Sequence, residues 1–146
     1  MPLQPARATS SSGDEDARAF EPLSATYRID RRTTPDELAA RNEAMQAALV
    51  EASDVPLAIM RTIATVMDEV EFLAHHGSKL ARSDAGVAAA FARAASDGAS
   101  LNIYINAASM DDAARSAYYR EEADSLAART RERCDEVFEF VKTAVS

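Results

Sequence analysis

Between Leu57 and Leu73 large apolar residues recur every three or four positions, at Leu57, Met60, Ile63, Met67, Val70 and Leu73. That spacing places them on one stripe of an α-helix and is incompatible with the period-two alternation of a half-buried strand. A stripe this regular needs partner helices to cover it. The rest of the chain supplies them: only 4 Gly and 5 Pro punctuate its 146 residues, too few for a turn-dense β domain.

The predicted helices follow in order. Met1 to Gly13, rich in Pro, Ser and Thr, reads as a disordered tail. Phe20, Leu23 and Tyr27 predict a helix over 14–27, with Pro22 bending or shortening it. Thr34, Pro35 and Glu37 form a helix-start signature, and Leu38, Met45, Leu49 and Val50 share a stripe beyond it. Pro56 should break or kink that helix, with Ser53 or Asp54 capping a new one from Val55 to His76, closed by Gly77. Ser83 is predicted to cap the next helix, with Asp84 in its first turn. That helix is crowded with Ala and carries Gly98, where a kink is possible. After a turn over 107–112, Asp111 or Asp112 should cap a last helix over 113–145, whose apolar positions are Tyr118, Leu126, Val137, Phe138 and Val141. Long helices joined by short turns predict an all-α, antiparallel up-and-down bundle, one domain over 14–146.

The net charge of −8 argues against nucleic acid and anionic membrane surfaces, which need clustered Lys and Arg. No apolar run approaches the roughly 20 residues of a bilayer span, and no secretory leader is visible. A single cysteine, Cys134, excludes an internal disulfide and fits the reducing cytoplasm. It has no neighbouring base to make it a nucleophile. His75 and His76 point in different directions, so they suit a helix C-terminus better than a metal. Met60 and Met67 read as core, and the alternating charges over 120–136 as a solvated face. No phosphate loop, HExxH, CxxC pair or nucleophile elbow is present.

Asn102 and Asn106 stand out. They lie four apart among apolar residues, so they share a helix face and are expected to be partly buried. Asp84, eighteen residues earlier, points the same way but about 27 Å off along a straight helix. Buried amides fixing helix register explain the pair as well as a ligand does.

Taken together, ASDVPL (Ala52 to Leu57), SDAGVAAA (Ser83 to Ala90), AASDGASLNIYIN (Ala94 to Asn106), the turn acid Asp111 and DEDARAFEPLSATY (Asp14 to Tyr27) resemble the formimidoyltetrahydrofolate cyclodeaminase and methenyltetrahydrofolate cyclohydrolase family. The resemblance runs from Asp14 to the end. It implies an all-α bundle, usually dimeric, acting on a one-carbon unit carried by tetrahydrofolate, with no metal or further cofactor. Cyclodeaminases close a formimino group to the 5,10-methenyl ring and release ammonia; cyclohydrolases add water to the methenyl bridge. By matched motifs it implies Asp16 and Asp84 in proton transfer, and Ser83, Asn102 and Asn106 in substrate binding. The family's Gly-rich Pro-Thr-Pro-Gly-Gly-Gly-Ser turn has no counterpart in Met1 to Gly13. The alternatives are therefore a non-catalytic helical dimerisation module, or half of a split enzyme completed by a partner chain.

Overall fold

The structure is a computed structural model that describes residues 33–146. Three helices fill it: α1, Pro35–His76; α2, Lys79–Ala108; and α3, Ala113–Val145. No strand occurs among the described residues, so the chain is an all-α bundle. The predicted helix over 14–27 and the tail over 1–13 lie outside the described residues. None of the helices is long and apolar enough to cross a membrane. The chain divides between Val55 and Pro56 into two compact units.

In the first unit α1 starts as the sequence predicts. The Thr34 N–H donates to Glu37 Oε2 at 2.7 Å, and the Glu37 N–H donates back to Thr34 Oγ1 at 3.3 Å. This reciprocal box satisfies two donors that the first turn would otherwise orphan. The Thr34 backbone N–H also holds the Glu37 carboxyl below its ordinary range. Among the described residues of this unit Ala48, Leu49, Ala52 and Ser53 are buried.

Pro56 does not end the helix, and neither Ser53 nor Asp54 starts a new one: α1 runs unbroken from Pro35 to His76. Ser53 is buried, and its hydroxyl donates to the Leu49 carbonyl at 2.7 Å. Its side chain thus bonds back into the helix and is not available as a cap.

The second unit, Pro56–Ser146, is a three-helix packing. The α1 stripe buries Leu57, Met60, Met67 and Val70, but then passes to Ala74, leaving Leu73 exposed. The helix period of 3.6 drifts off a strict heptad over this length. Met67, Val70 and Ala74 pack with Ala85 and Ala89 of α2 and with Cys134, Val137 and Val141 of α3. Paired residues fix the directions. Gly86 meets Val141, Asp97 meets Arg131 and Tyr104 meets Asp124, so α2 and α3 run antiparallel. Arg61 bonds Glu122, and Arg133 bonds Asp68 and Glu71, so α1 and α3 run in the same direction.

On α3 the expected inward residues are only partly right. Leu126, Val137 and Val141 are buried, but Tyr118 and Phe138 are exposed. Their places are taken by Tyr119, Ala123, Ala127, Thr130 and Cys134. Apart from Tyr119 these side chains are small and let the α2 and α3 backbones approach, which large ones would prevent. Ser96 and Thr130, both 1% exposed, carry hydroxyls without a hydrogen-bond partner.

Candidate functional site

The candidate residues Ser83, Asp84, Asn102 and Asn106 all stand on α2. The helix begins earlier than expected. Gly77 ends α1 with its N–H on the Leu73 carbonyl at 2.9 Å. Any Cβ at Gly77 would lie 2.5 Å from that oxygen, so glycine is needed here for close approach. Ser78 follows at once as the N-cap and accepts from the Ala81 N–H at 3.3 Å. Ser83 is therefore not a cap, and Asp84 is not in the first turn. With the first turn already satisfied at Ser78, both are exposed in the body of the helix.

The amide pair is split in environment. Asn106 is half-buried, but Asn102 is exposed, because the buried line of α2 passes through Ser96, Ala99, Ser100, Ile103 and Ala107. The two amides remain on successive turns of one face. Asp84 and Asn102 share a single uninterrupted helix, so eighteen residues at 1.5 Å hold them about 27 Å apart. Within one protomer the structure brings Asn102 and Asn106 together and keeps Asp84 apart from both. Asp16 lies outside the described residues.

Between the two amides Tyr104 donates its hydroxyl to Asp124 Oδ1 of α3 at 2.5 Å. This bond, with burial second, pushes the Tyr104 phenol above its ordinary range. The sequence carries no signal for the pair, since nothing in the spacing of Tyr104 and Asp124 marks them as neighbours before the antiparallel register is known. Ser83 lines an open groove of about 420 Å³ with Lys79, Leu80 and Val145, at the end where α2 begins and α3 finishes. A smaller depression of about 220 Å³ lies over Ala89, Ala90, Arg93, Cys134, Asp135 and Phe138. Cys134 is buried beneath it, and burial pushes its thiol up, the opposite of what a nucleophile needs. His75 rests against Phe140, with ring centres 4.2 Å apart, and His76 stacks on Phe72 at 4.6 Å. Among the described residues no cluster of three or more His, Cys, Asp or Glu could hold a metal ion.

Along α2 the candidate residues thus present an exposed carboxylate, an exposed hydroxyl, one exposed amide and one half-buried amide. The chemistry available is proton transfer at Asp84 and hydrogen bonding at Ser83, Asn102 and Asn106.

Residues 6–125 match the family model described as Formiminotransferase-cyclodeaminase. The chain belongs to the formiminotransferase-cyclodeaminase family. Over 132 residues it is 36% identical to the methenyltetrahydrofolate cyclohydrolase of Methylorubrum extorquens, covering 90% of this chain and 63% of that protein. It is 35% identical over 113 residues to the formimidoyltransferase-cyclodeaminase of Sus scrofa, covering 77% of this chain and 21% of that protein. The Gallus gallus protein of the same name is 33% identical over 99 residues, 68% of this chain and 18% of that protein. The chain therefore spans less than two thirds of the length of each of these relatives. The family match includes Asp16, Ser83, Asp84, Asn102 and Asn106.

Proposed function

We propose that the chain works in cytoplasmic folate one-carbon metabolism. It either closes 5-formiminotetrahydrofolate to 5,10-methenyltetrahydrofolate with loss of ammonia, or hydrolyses the methenyl bridge. The observation that carries this reading is the family match over residues 6–125, which takes in every candidate site residue. Both reactions pass through a tetrahedral carbon and move protons to or from nitrogen. An exposed carboxylate such as Asp84 can carry those protons. Ser83, Asn102 and Asn106 supply donors and acceptors that match the amide-like edge of a pterin. The folate itself carries the one-carbon unit, and the residues in place need nothing further for proton transfer.

The test is absorbance of methenyltetrahydrofolate, made from the formimino compound or consumed in buffer. Turnover by the chain, or by the chain with a partner carrying the Gly-rich turn, supports the reading and tells the two reactions apart. No turnover and no folate binding in either setting refutes it.

One observation favours a second reading, a helical interaction module. Leu80, Val87, Phe91, Leu101 and Ile105 of α2 are all exposed, and a contiguous apolar face of that kind marks a contact surface.

A further inference from the structure

Among the described residues four hydroxyl side chains are buried, those of Ser53, Ser96, Ser100 and Thr130. A hydroxyl inside a helix ordinarily bonds back to a carbonyl three or four residues earlier. Ser53 does so on Leu49, and Ser100 on Asp97, both at 2.7 Å. The exposed Thr62, Thr65 and Thr143 do the same on Ala58, Arg61 and Glu139. Ser96 and Thr130 depart from this habit. Each is 1% exposed, and neither hydroxyl has a hydrogen-bond partner among the described residues. A hydroxyl buried so deeply without a partner costs stability, and the local bond that would cancel the cost is not made.

The two hydroxyls belong to one place. Gly86 with Val141, Arg93 with Asp135, Asp97 with Arg131 and Tyr104 with Asp124 set the antiparallel register of α2 and α3. That register puts Thr130 opposite residue 98, so Ser96 and Thr130 stand across the seam from each other, offset by ~3 Å along the axis. Both lie on the inward lines of their helices, Ser96 between Ala89 and Ile103, Thr130 between Ala127 and Cys134. At the same level on the surface, Arg93, Asp97, Arg131 and Asp135 form a chain of ion pairs over the seam. One turn along, Cys134 underlies the depression of about 220 Å³ that Arg93 and Asp135 also line. A small polar molecule has its way in from solvent there.

We propose that Ser96 and Thr130 bind one water molecule inside the α2–α3 seam. Both hydroxyls donate to its oxygen. The water donates in turn to the carbonyls of Ala92 and Leu126, the acceptors one turn back whose second lone pairs the two side chains leave unused. Four partners are within the two to four that a buried water takes. The site suits a neutral ligand, because the nearby charges are already paired with each other at the surface. The water is then part of the packing between α3 and α2, the helix that carries Ser83, Asp84, Asn102 and Asn106, and it sets how far apart the two helices stand. This inference does not depend on the folate reading.

The test turns on the sign of one substitution. Thr130→Val replaces the hydroxyl by a methyl of nearly the same size. With the water bound, it strips a partner from that water and should lower the thermal midpoint of the full chain by about 3–6 °C. With no water bound, the same change removes an unpaired buried hydroxyl and raises the midpoint. Ser96→Ala should lower it as well. The double variant should lose little more than either single one, because one water serves both hydroxyls. A crystal structure of the full chain that resolves ordered solvent should place a water within about 3.2 Å of both Ser96 Oγ and Thr130 Oγ1. A higher midpoint for Thr130→Val, losses that simply add, or hydroxyls bonded to each other or to their own helices with no water between them each overturns the proposal.

Discussion

Gly86 of α2 lies so close to Val141 of α3 that a Cβ on residue 86 would stand 2.8 Å from Val141 Cγ1 and 3.2 Å from Val141 Cβ. The missing methyl is what lets the two helices meet there. Gly86→Ala gains up to ~1 kcal/mol of helix propensity. It also forces a stiff β-branched neighbour out of place, and overpacking of this kind costs ~1–3 kcal/mol. The net expectation is destabilisation of about 1 kcal/mol, read as a lower thermal midpoint. Adding Val141→Ala to Gly86→Ala should relieve part of that loss. A Gly86→Ala chain that melts higher than wild type would show that α3 yields freely.

Arg133 ties α3 to α1 through three nitrogens. Its Nε donates to Glu71 Oε1 at 2.5 Å, Nη2 to Asp68 Oδ1 at 2.6 Å and Nη1 to the Ala64 carbonyl at 2.8 Å. Asp68 is largely exposed, so its ion pair adds little. The Glu71 and Ala64 bonds are part-buried and carry more. Arg133→Met, which keeps the apolar stem, should cost ~1–2 kcal/mol in a urea titration. Arg133→Lys should not recover it, because one ammonium cannot reproduce the fork. Full recovery by lysine would reduce the contact to simple charge attraction.

Cys134 is 2% exposed, with its sulfur 3.6 Å from Met67 Sδ. Burial, then Asp135, raises the thiol above its ordinary value. The unfolded chain ionises first, near pH 8.5. This group's share of stability is therefore complete below that pH and declines as the pH rises toward the folded value. At pH 7 to 8 a thiol reagent should label native Cys134 roughly a hundredfold or more slower than the urea-unfolded chain, since labelling waits for opening. Equal rates would place the thiol at the surface.

The helical character was legible because the stripes of α1 and the sparse Gly and Pro leave no other fold. The ends of α3 were legible too: Asp112 caps it by accepting from the Arg115 N–H at 3.0 Å, and it runs from Ala113 to Val145. Three features were not. Pro56 looked like a break, but its helix continues. Ser83 looked like a cap, but Ser78, five residues earlier, occupies that role. Tyr118 and Phe138 looked like core, because sequence periodicity weighs size, while a close helix pair selects Ala, Thr and Cys. For the site, the shared face of Asn102 and Asn106 follows from spacing alone. The exposure of Asn102 depends on the angle at which α2 meets its neighbours, and spacing does not encode that.

Only four residues, Ser109 to Asp112, separate α2 from α3, and the contacts of that pair grow outward from this turn, from Ser116 bonded to the Ala107 carbonyl to Gly86 against Val141. Closing so short a loop costs little chain entropy. The side-chain hydrogen bonds from α3 to α1 instead span 57 to 69 residues. On the ribosome α1 emerges first, yet it must wait for the last helix before Met67 and Val70 are covered. The α2–α3 hairpin is therefore the part of this unit suited to form early, with α1 docking onto it as the slower step.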